Sequence, residues 1–142
     1  DATWAGHEAW RRAEIPAANG HGNARSIAEV HTILANGGQA RGKRYLSEAG
    51  VKTIFDVQTE GEDLVLAMPV RFGMGFGLNS EATPLSPNPN TCFWGGWGGS
   101  LVVIDTDAHL SGAYVMNQMA GGLVGDLRGG MLWAGFIERA LG

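Results

Sequence analysis

Residues 92–104, Cys-Phe-Trp-Gly-Gly-Trp-Gly-Gly-Ser-Leu-Val-Val-Ile, constrain this chain more than any other stretch. Four of the five positions from Gly95 to Gly99 are glycine, and an unbroken aliphatic strand follows directly. Glycine within a strand is costly, and it marks a place where another backbone or a ligand comes close. The block therefore reads as backbone laid open to a substrate, with bare N–H groups available as donors. The competing reading is a glycine-rich bulged corner with Trp94 and Trp97 in a core.

The totals narrow the classes. A chain of 142 residues suits one domain with a real core. A net charge of −4 leaves no basic footprint, which argues against nucleic acid as a partner. The 23 glycines show no collagen-like period and so imply many turns. Cys92 is the single cysteine, which excludes an internal disulfide and fits a reducing compartment, the cytoplasm being favoured. His7, His21, His31 and His109 lack metal-ligand spacing, so neither a metal nor a cofactor is expected. No apolar run reaches the roughly 18 residues of a membrane span, and no signal-peptide pattern opens the chain. Asp1 in place of methionine points to a chain that begins inside something longer, or after processing.

Local signals then order the chain. Residues 1–22 read as irregular and end in breakers. Asn23 caps an expected helix over 24–36, with Ile27, Val30, His31 and Leu34 on one stripe and Gly37-Gly38 closing it. Ser47 caps a shorter helix over 48–55. Strands are expected over 64–68 and 70–78, with Glu60-Gly61-Glu62-Asp63 a solvated turn. A proline-and-asparagine loop over 84–90 precedes strand 101–104, a turn at 105–108 and a paired strand over 109–117. A closing helix over 129–141 should turn Leu132, Phe136 and Leu141 inward. Helices, then an antiparallel meander, then a returning helix make an α+β pattern.

The glycine block closely resembles the third conserved motif of serine β-lactamase-like proteins, in the W-x-G form of family VIII carboxylesterases. Further matching pieces are Asn19-Gly20-His21-Gly22-Asn23-Ala24-Arg25-Ser26, Leu34 with Gly37-Gly38, Tyr45-Leu46-Ser47, Phe72-Gly73-Met74-Gly75-Phe76 and Tyr114-Val115-Met116-Asn117. The resemblance covers nearly the whole chain. It implies that residues 1–142 form a single segment, the C-terminal portion of a β-lactamase/transpeptidase-like fold with an antiparallel sheet flanked by helices.

It also implies machinery that this chain does not carry. The family's nucleophile is the serine of S-x-x-K, where the lysine one helical turn on accepts the hydroxyl proton. Lys43 and Lys52 are preceded three residues earlier by Ala40 and Ala49, so S-x-x-K is absent. Tyr45-Leu46-Ser47 is a formal Y-x-S but reads as chance, and Tyr114 has the wrong spacing to Asn117. What the resemblance does assign is the far wall of the site. Trp94-Gly95-Gly96 takes the place of the K-T-G triplet, and the Trp97 backbone N–H becomes one of two oxyanion donors. An indole in place of the lysine suits a neutral ester and leaves a β-lactam's anionic group without a partner. A second register, Trp97-Gly98-Gly99, moves the donor to Ser100. The first is preferred because the offset leaves too little glycine-rich lead-in before Leu101.

The remaining candidates are weaker. Ser100, His109 and Asp105 or Asp107 mimic a triad but sit on one hairpin in alternating directions, and no G-x-S-x-G elbow accompanies them. His21 and Gly98 are candidates to line the cleft, although a loop-stabilising hydrogen bond is the simpler role for His21. His31 reads as a satisfied, half-buried histidine, and Met68, Met74 and Met116 as core filling. No phosphate-cradling motif is present. The expectation is the C-terminal portion of a serine carboxylesterase acting on a small ester through an acyl-enzyme, inactive alone and partnered by an N-terminal portion carrying Ser and Lys. The alternatives are a non-catalytic β-lactamase-like binding remnant, a β-lactamase or D-Ala-D-Ala peptidase-related hydrolase, or a freestanding structural domain.

Overall fold

The computed structural model describes residues 2–142; Asp1 lies outside them. Its centre is a six-stranded antiparallel sheet in meander order. The strands are β3 (Thr59–Asp63), β4 (Met68–Phe72), β5 (Gly77–Leu78), β6 (Thr91–Gly95), β7 (Leu101–Asp105) and β8 (Leu110–Tyr114). A two-stranded ribbon, β1 (Gln39–Ala40) and β2 (Lys43–Arg44), stands apart. The helices are α1 (Glu8–Arg12), α2 (Ala24–Ala35), α3 (Glu48–Lys52) and α4 (Leu127–Leu141). The mixed helix and antiparallel sheet architecture is the α+β class expected.

Capping chemistry places the early helices. Asn23 accepts from the Ser26 amide, and the Ser26 hydroxyl in turn accepts from the Asn23 amide, a reciprocal box at the start of α2. The Ser47 hydroxyl accepts from the Gly50 amide and starts α3, so its role is a cap, in keeping with a chance Y-x-S. Helix α2 lies on β7 and β8, where the Ser111 hydroxyl donates to the Ala28 carbonyl and His109 Nδ1 donates to the Ala35 carbonyl. Between them sits the core of Ala35, Val51, Ile54, Leu78, Cys92, Val102 and Ile104, with Ile27 and Leu34 against it. Each such aliphatic side chain contributes about 1.5–3 kcal/mol when fully buried. His31 donates from Nδ1 to the Ile27 carbonyl and meets Phe76 edge-on, while Val30 faces solvent rather than the sheet.

Several expectations are corrected. Residues 8–12 are helical within the stretch read as irregular. The run expected as a strand over 64–68 is mostly a hairpin turn, with Leu64 96% and Val65 86% exposed. The Asp63 carboxylate causes it, by accepting from the amides of both Val65 and Leu66. The acidic run expected as a turn is instead β3, paired with β4 so that Glu60 faces Arg71. Residues 70–78 are two strands, split where the Gly73 amide donates to the Phe76 carbonyl and Gly75 takes a positive φ of 80°. The outer strands of the sheet are β3 and β8. Helix α4 buries Gly129 and Trp133 rather than Leu132, Phe136 and Leu141. The Trp133 ring lies over Gly112 of β8, where any Cβ would overlap it, and its Nε1 donates to the Leu85 carbonyl.

One buried polar knot ties the loop before β6 to the β7–β8 turn. The fully buried Asp105 carboxyl accepts from the Ser86 hydroxyl, the Asn88 amide and the Ala108 backbone N–H. Asp105→Ala would strand three donors and should destabilise the domain by about 3 kcal/mol, with Asp105→Asn milder. The midpoint of chemical denaturation measures it.

Candidate active site

The glycine block folds as a hairpin corner. Strand β6 carries Trp94 and Gly95, opposite Val102 and Leu101 of β7, and residues 96–100 make the turn between them. The sequence reading missed β6 as a strand, because tryptophan and glycine dominate its end. The corner is closed by the Gly96 amide donating to the Ser100 carbonyl at 2.8 Å and the Gly99 amide donating to the Gly96 carbonyl at 3.1 Å. Gly98 and Gly99 have φ of 90° and 123°, a region open to glycine at little cost.

A second segment clamps the corner from outside. The Gly98 amide donates to the Gly122 carbonyl, the Ala120 amide donates to the Gly98 carbonyl, and the Gly125 amide donates to the Gly96 carbonyl. A Cβ on Gly95 would run into the Val124 carbonyl, which explains glycine there. Arg128, in the first turn of α4, adds a brace that sequence reasoning did not find. Its guanidinium donates to the carbonyls of Gly98 at 3.0 Å and Gln118 at 2.9 Å, and to the Asp126 carboxylate. Asp126 caps α4 by accepting from the Arg128 amide.

Within this network the Trp97 amide differs. Its neighbours Gly96, Gly98 and Gly99 each donate to a carbonyl, whereas the Trp97 N–H has no acceptor among the described residues. The Ser100 N–H has none either, so both registers keep an open donor. The half-exposed Trp97 indole meets Trp10 of α1, with ring centroids 6.0 Å apart. The Trp94 indole leans on Phe72, centroids 5.4 Å apart, and remains 39% exposed.

The other candidates separate. The exposed His21 places Nδ1 3.1 Å from the Asn19 carbonyl, within its own loop. The triad look-alike does not assemble, since His109 is spent on Ala35 and Asp105 on Ser86, Asn88 and Ala108. Cys92 is fully buried and desolvation pushes its thiol up to about 12, so it is no thiolate nucleophile at neutral pH. Among the described residues no cluster of three or more His, Cys, Asp or Glu could hold a metal, and no helix is long and apolar enough to cross a membrane.

This corner, on this sheet, has relatives. The family model described as Beta-lactamase matches residues 1–130, and the chain belongs to that family. It is 32% identical over 113 residues to the esterase/beta-lactamase LipL of Mycobacterium tuberculosis (strain ATCC 25618 / H37Rv), covering 79% of this chain and 25% of LipL. Among solved structures, a family VIII carboxylesterase is 40% identical with a TM-score of 0.88, covering 99% of this chain and 37% of that one. A novel penicillin-binding protein homolog from Caulobacter crescentus is 39% identical with a TM-score of 0.80, covering 87% of this chain and 33% of that one. The chain thus spans between a quarter and little more than a third of these relatives' lengths.

The Asp126–Arg128 brace carries a pH signature. Side-chain hydrogen bonds from Arg128 hold the Asp126 carboxyl below its ordinary value of 3.8. A lowered pKa stabilises above the ordinary value and is lost as pH falls through the lowered one. Amide exchange at Gly96, Gly98 and Gly99, corrected for intrinsic pH dependence, should stay protected at pH 5 and open only below the ordinary aspartate range. In Arg128→Ala that protection should already be weak at pH 7, by roughly tenfold, the order of one lost charge-assisted hydrogen bond.

Proposed function

We propose that this chain is the C-terminal portion of a serine carboxylesterase that hydrolyses short-chain esters through an acyl-enzyme. The observation that carries the reading is the Trp97 N–H, left without an acceptor among the described residues in a corner where the Gly96, Gly98 and Gly99 amides are engaged. In the proposed reaction the serine oxygen, on the portion carrying S-x-x-K, attacks the ester carbonyl carbon and gives up its proton to the neighbouring lysine. The carbonyl oxygen becomes an oxyanion, and the Trp97 N–H and the serine's own N–H donate to it. Collapse expels the alcohol with a proton, and water then attacks the acyl-enzyme to release the acid. Donors fixed beforehand need no reorganisation as charge develops, and losing one costs about 2.7–4 kcal/mol. The clamp on Gly96 and Gly98 supplies that fixity.

Trp94, in the place of the K-T-G lysine, puts an indole supported by Phe72 where a cation would otherwise stand. Such a wall favours a neutral ester over an anionic β-lactam. Gly95 and Gly96 leave room for substrate against the strand, while Gly98 serves by holding the clamp. His21 keeps the secondary role of stabilising its loop.

The partner is the portion that supplies Ser and Lys. Strand β8 is an outer strand, and a groove of about 440 Å³ runs beside it between Ala24, Arg25 and Ala28 of α2 and Leu132, Trp133 and Phe136 of α4. Leu132 and Phe136 are exposed, so the groove has apolar walls and an open strand edge, which is what a further strand and its flanking helix need. Expressed alone, the chain should be insoluble, oligomeric or molten. A sharp, cooperative monomer in sedimentation and thermal melting contradicts this.

Labelling with a fluorophosphonate tests the reaction, since only an activated serine reacts. The assembled protein should be labelled on the S-x-x-K portion, and failure to label leaves the binding-remnant reading. Trp97→Pro deletes the N–H, and in a variant that keeps its melting behaviour turnover should fall by about 10²–10³. Near-normal turnover would move the donor to Ser100. Trp94→Lys should lower the ratio of short-ester to β-lactam hydrolysis, and an unchanged ratio removes Trp94 as the selectivity element.

A further inference from the structure

The Trp97 N–H belongs to the peptide unit that also carries the Gly96 carbonyl. In a trans peptide the two lie in one plane and point in opposite directions, so whatever holds the Gly96 oxygen also aims the Trp97 N–H. Two amides hold it, those of Gly99 and Gly125, each at 3.1 Å. The next peptide unit, between Trp97 and Gly98, is held by the Gly98 amide donating to the Gly122 carbonyl at 2.9 Å. The bond from Gly99 lies within the corner, whereas the bonds involving Gly125 and Gly122 come from the segment outside it. Residues 115–126 run between β8 and α4 as irregular backbone, with Leu123 63% exposed. The direction of the donor therefore depends on how that segment is fixed.

We propose that Arg128 is a positioning residue for the oxyanion donor: it fixes residues 118–126 against the corner and so sets the direction of the Trp97 N–H, without itself touching substrate. The inference rests on the esterase reading. Arg128 reaches both ends of the segment and the corner at once. Nη1 donates to the Gln118 carbonyl at 2.9 Å, Nε donates to the Asp126 carboxylate at 2.9 Å, and Nη2 donates to that carboxylate and to the Gly98 carbonyl at 3.0 Å. The Gly98 oxygen also accepts from the Ala120 amide at 2.8 Å, so corner and segment share an acceptor with the guanidinium. Each of the three guanidinium nitrogens already donates, which leaves Arg128 a brace rather than a cation for a substrate anion. The consequence for chemistry is directional. A hydrogen bond weakens steeply as its donor angle falls below about 120°, so a tilt of the Gly96–Trp97 plane costs stabilisation of the oxyanion and leaves the ester's fit in place. The bonds accepted by the Gly96 oxygen also polarise the same peptide unit and strengthen its N–H as a donor.

The test compares Arg128→Ala and Arg128→Lys with the parent in the assembled enzyme, on a p-nitrophenyl ester and on its thionoester, whose sulfur is a weak acceptor and gains less from the donor. In Arg128→Ala, kcat and kcat/KM for the oxygen ester should fall together by about 10–10², short of the 10²–10³ of losing a donor outright. The ratio of oxygen-ester to thionoester turnover should shrink with them. Arg128→Lys should recover little, because one ammonium cannot span the same acceptors, whereas added ethylguanidinium should restore part of kcat to Arg128→Ala. On a Trp97→Pro background Arg128→Ala should cost nothing further, since the N–H that it aims is gone. Unchanged kcat in a folded Arg128→Ala, or a rise in KM alone, overturns the proposal. So does a loss that adds in full to that of Trp97→Pro or leaves the oxygen-to-sulfur ratio unmoved, because Arg128 would then act elsewhere. If neither variant melts cooperatively, Arg128 holds the fold rather than the donor and the proposal falls. A parent enzyme inert on every ester and unlabelled by fluorophosphonate overturns the esterase reading and this inference with it.

Discussion

The corner between β6 and β7 holds its shape because two stretches of backbone approach so closely that no side chain fits between them. Gly95 presses on Val124, Gly96 accepts from Gly125, and Gly98 both donates to Gly122 and accepts from Ala120. Each approach needs a residue without a Cβ or with a positive φ, which is why four glycines stand in five positions. Flexible residues give a rigid object here, because the hydrogen bonds consume the freedom that glycine brings. The same bonds decide which amides remain. With the Gly96 and Gly99 amides bonded inside the corner and that of Gly98 held by the clamp, the amides left without an acceptor among the described residues are those of Trp97 and Ser100.

Arg128 extends this logic from backbone to helix. A guanidinium can serve several acceptors in one plane, and here it joins the Gly98 and Gln118 carbonyls to the carboxylate that caps α4. The helix start and the glycine corner are thereby one unit, so the position of α4 on the sheet affects the geometry of the corner. Trp133 fixes the other end of that relation by occupying the space above Gly112. Lysine at position 128, a single ammonium on a flexible stem, could not reproduce the planar set of bonds.

The legible parts of the sequence were those whose cause is local. Asn23 and Ser47 announce α2 and α3 because a cap acts within three residues, and the β7–β8 hairpin follows from an aliphatic run broken by Asp105-Thr106-Asp107. The family of the corner was legible as well, since its four glycines fall within five positions. What failed depends on distance or on competition. Hydropathy assigned 64–68 to a strand, but the Asp63 carboxylate offered the backbone a better bond and bent it. The face of α4 was misjudged because Gly112, 21 positions before Trp133, decides which side chain fits the sheet. The contact of Arg128 with Gly98 spans 30 residues and has no signature in spacing.

The unpaired features of this fold fall into two groups with different physical meanings. On one flank, β8 is an outer strand between two helices, and α4 leaves Leu132 and Phe136 uncovered. There an apolar face and the unpaired groups of an outer strand occur together. On the other flank, the walls beside Trp94 come mainly from β4, β5 and β6, none of which is an outer strand. The outer strand of that flank, β3, carries Glu60, Glu62 and Asp63, and charged residues on an edge strand discourage a further strand from pairing there. The two outer strands thus differ in kind: β8 lies beside uncovered apolar side chains, whereas β3 carries charge.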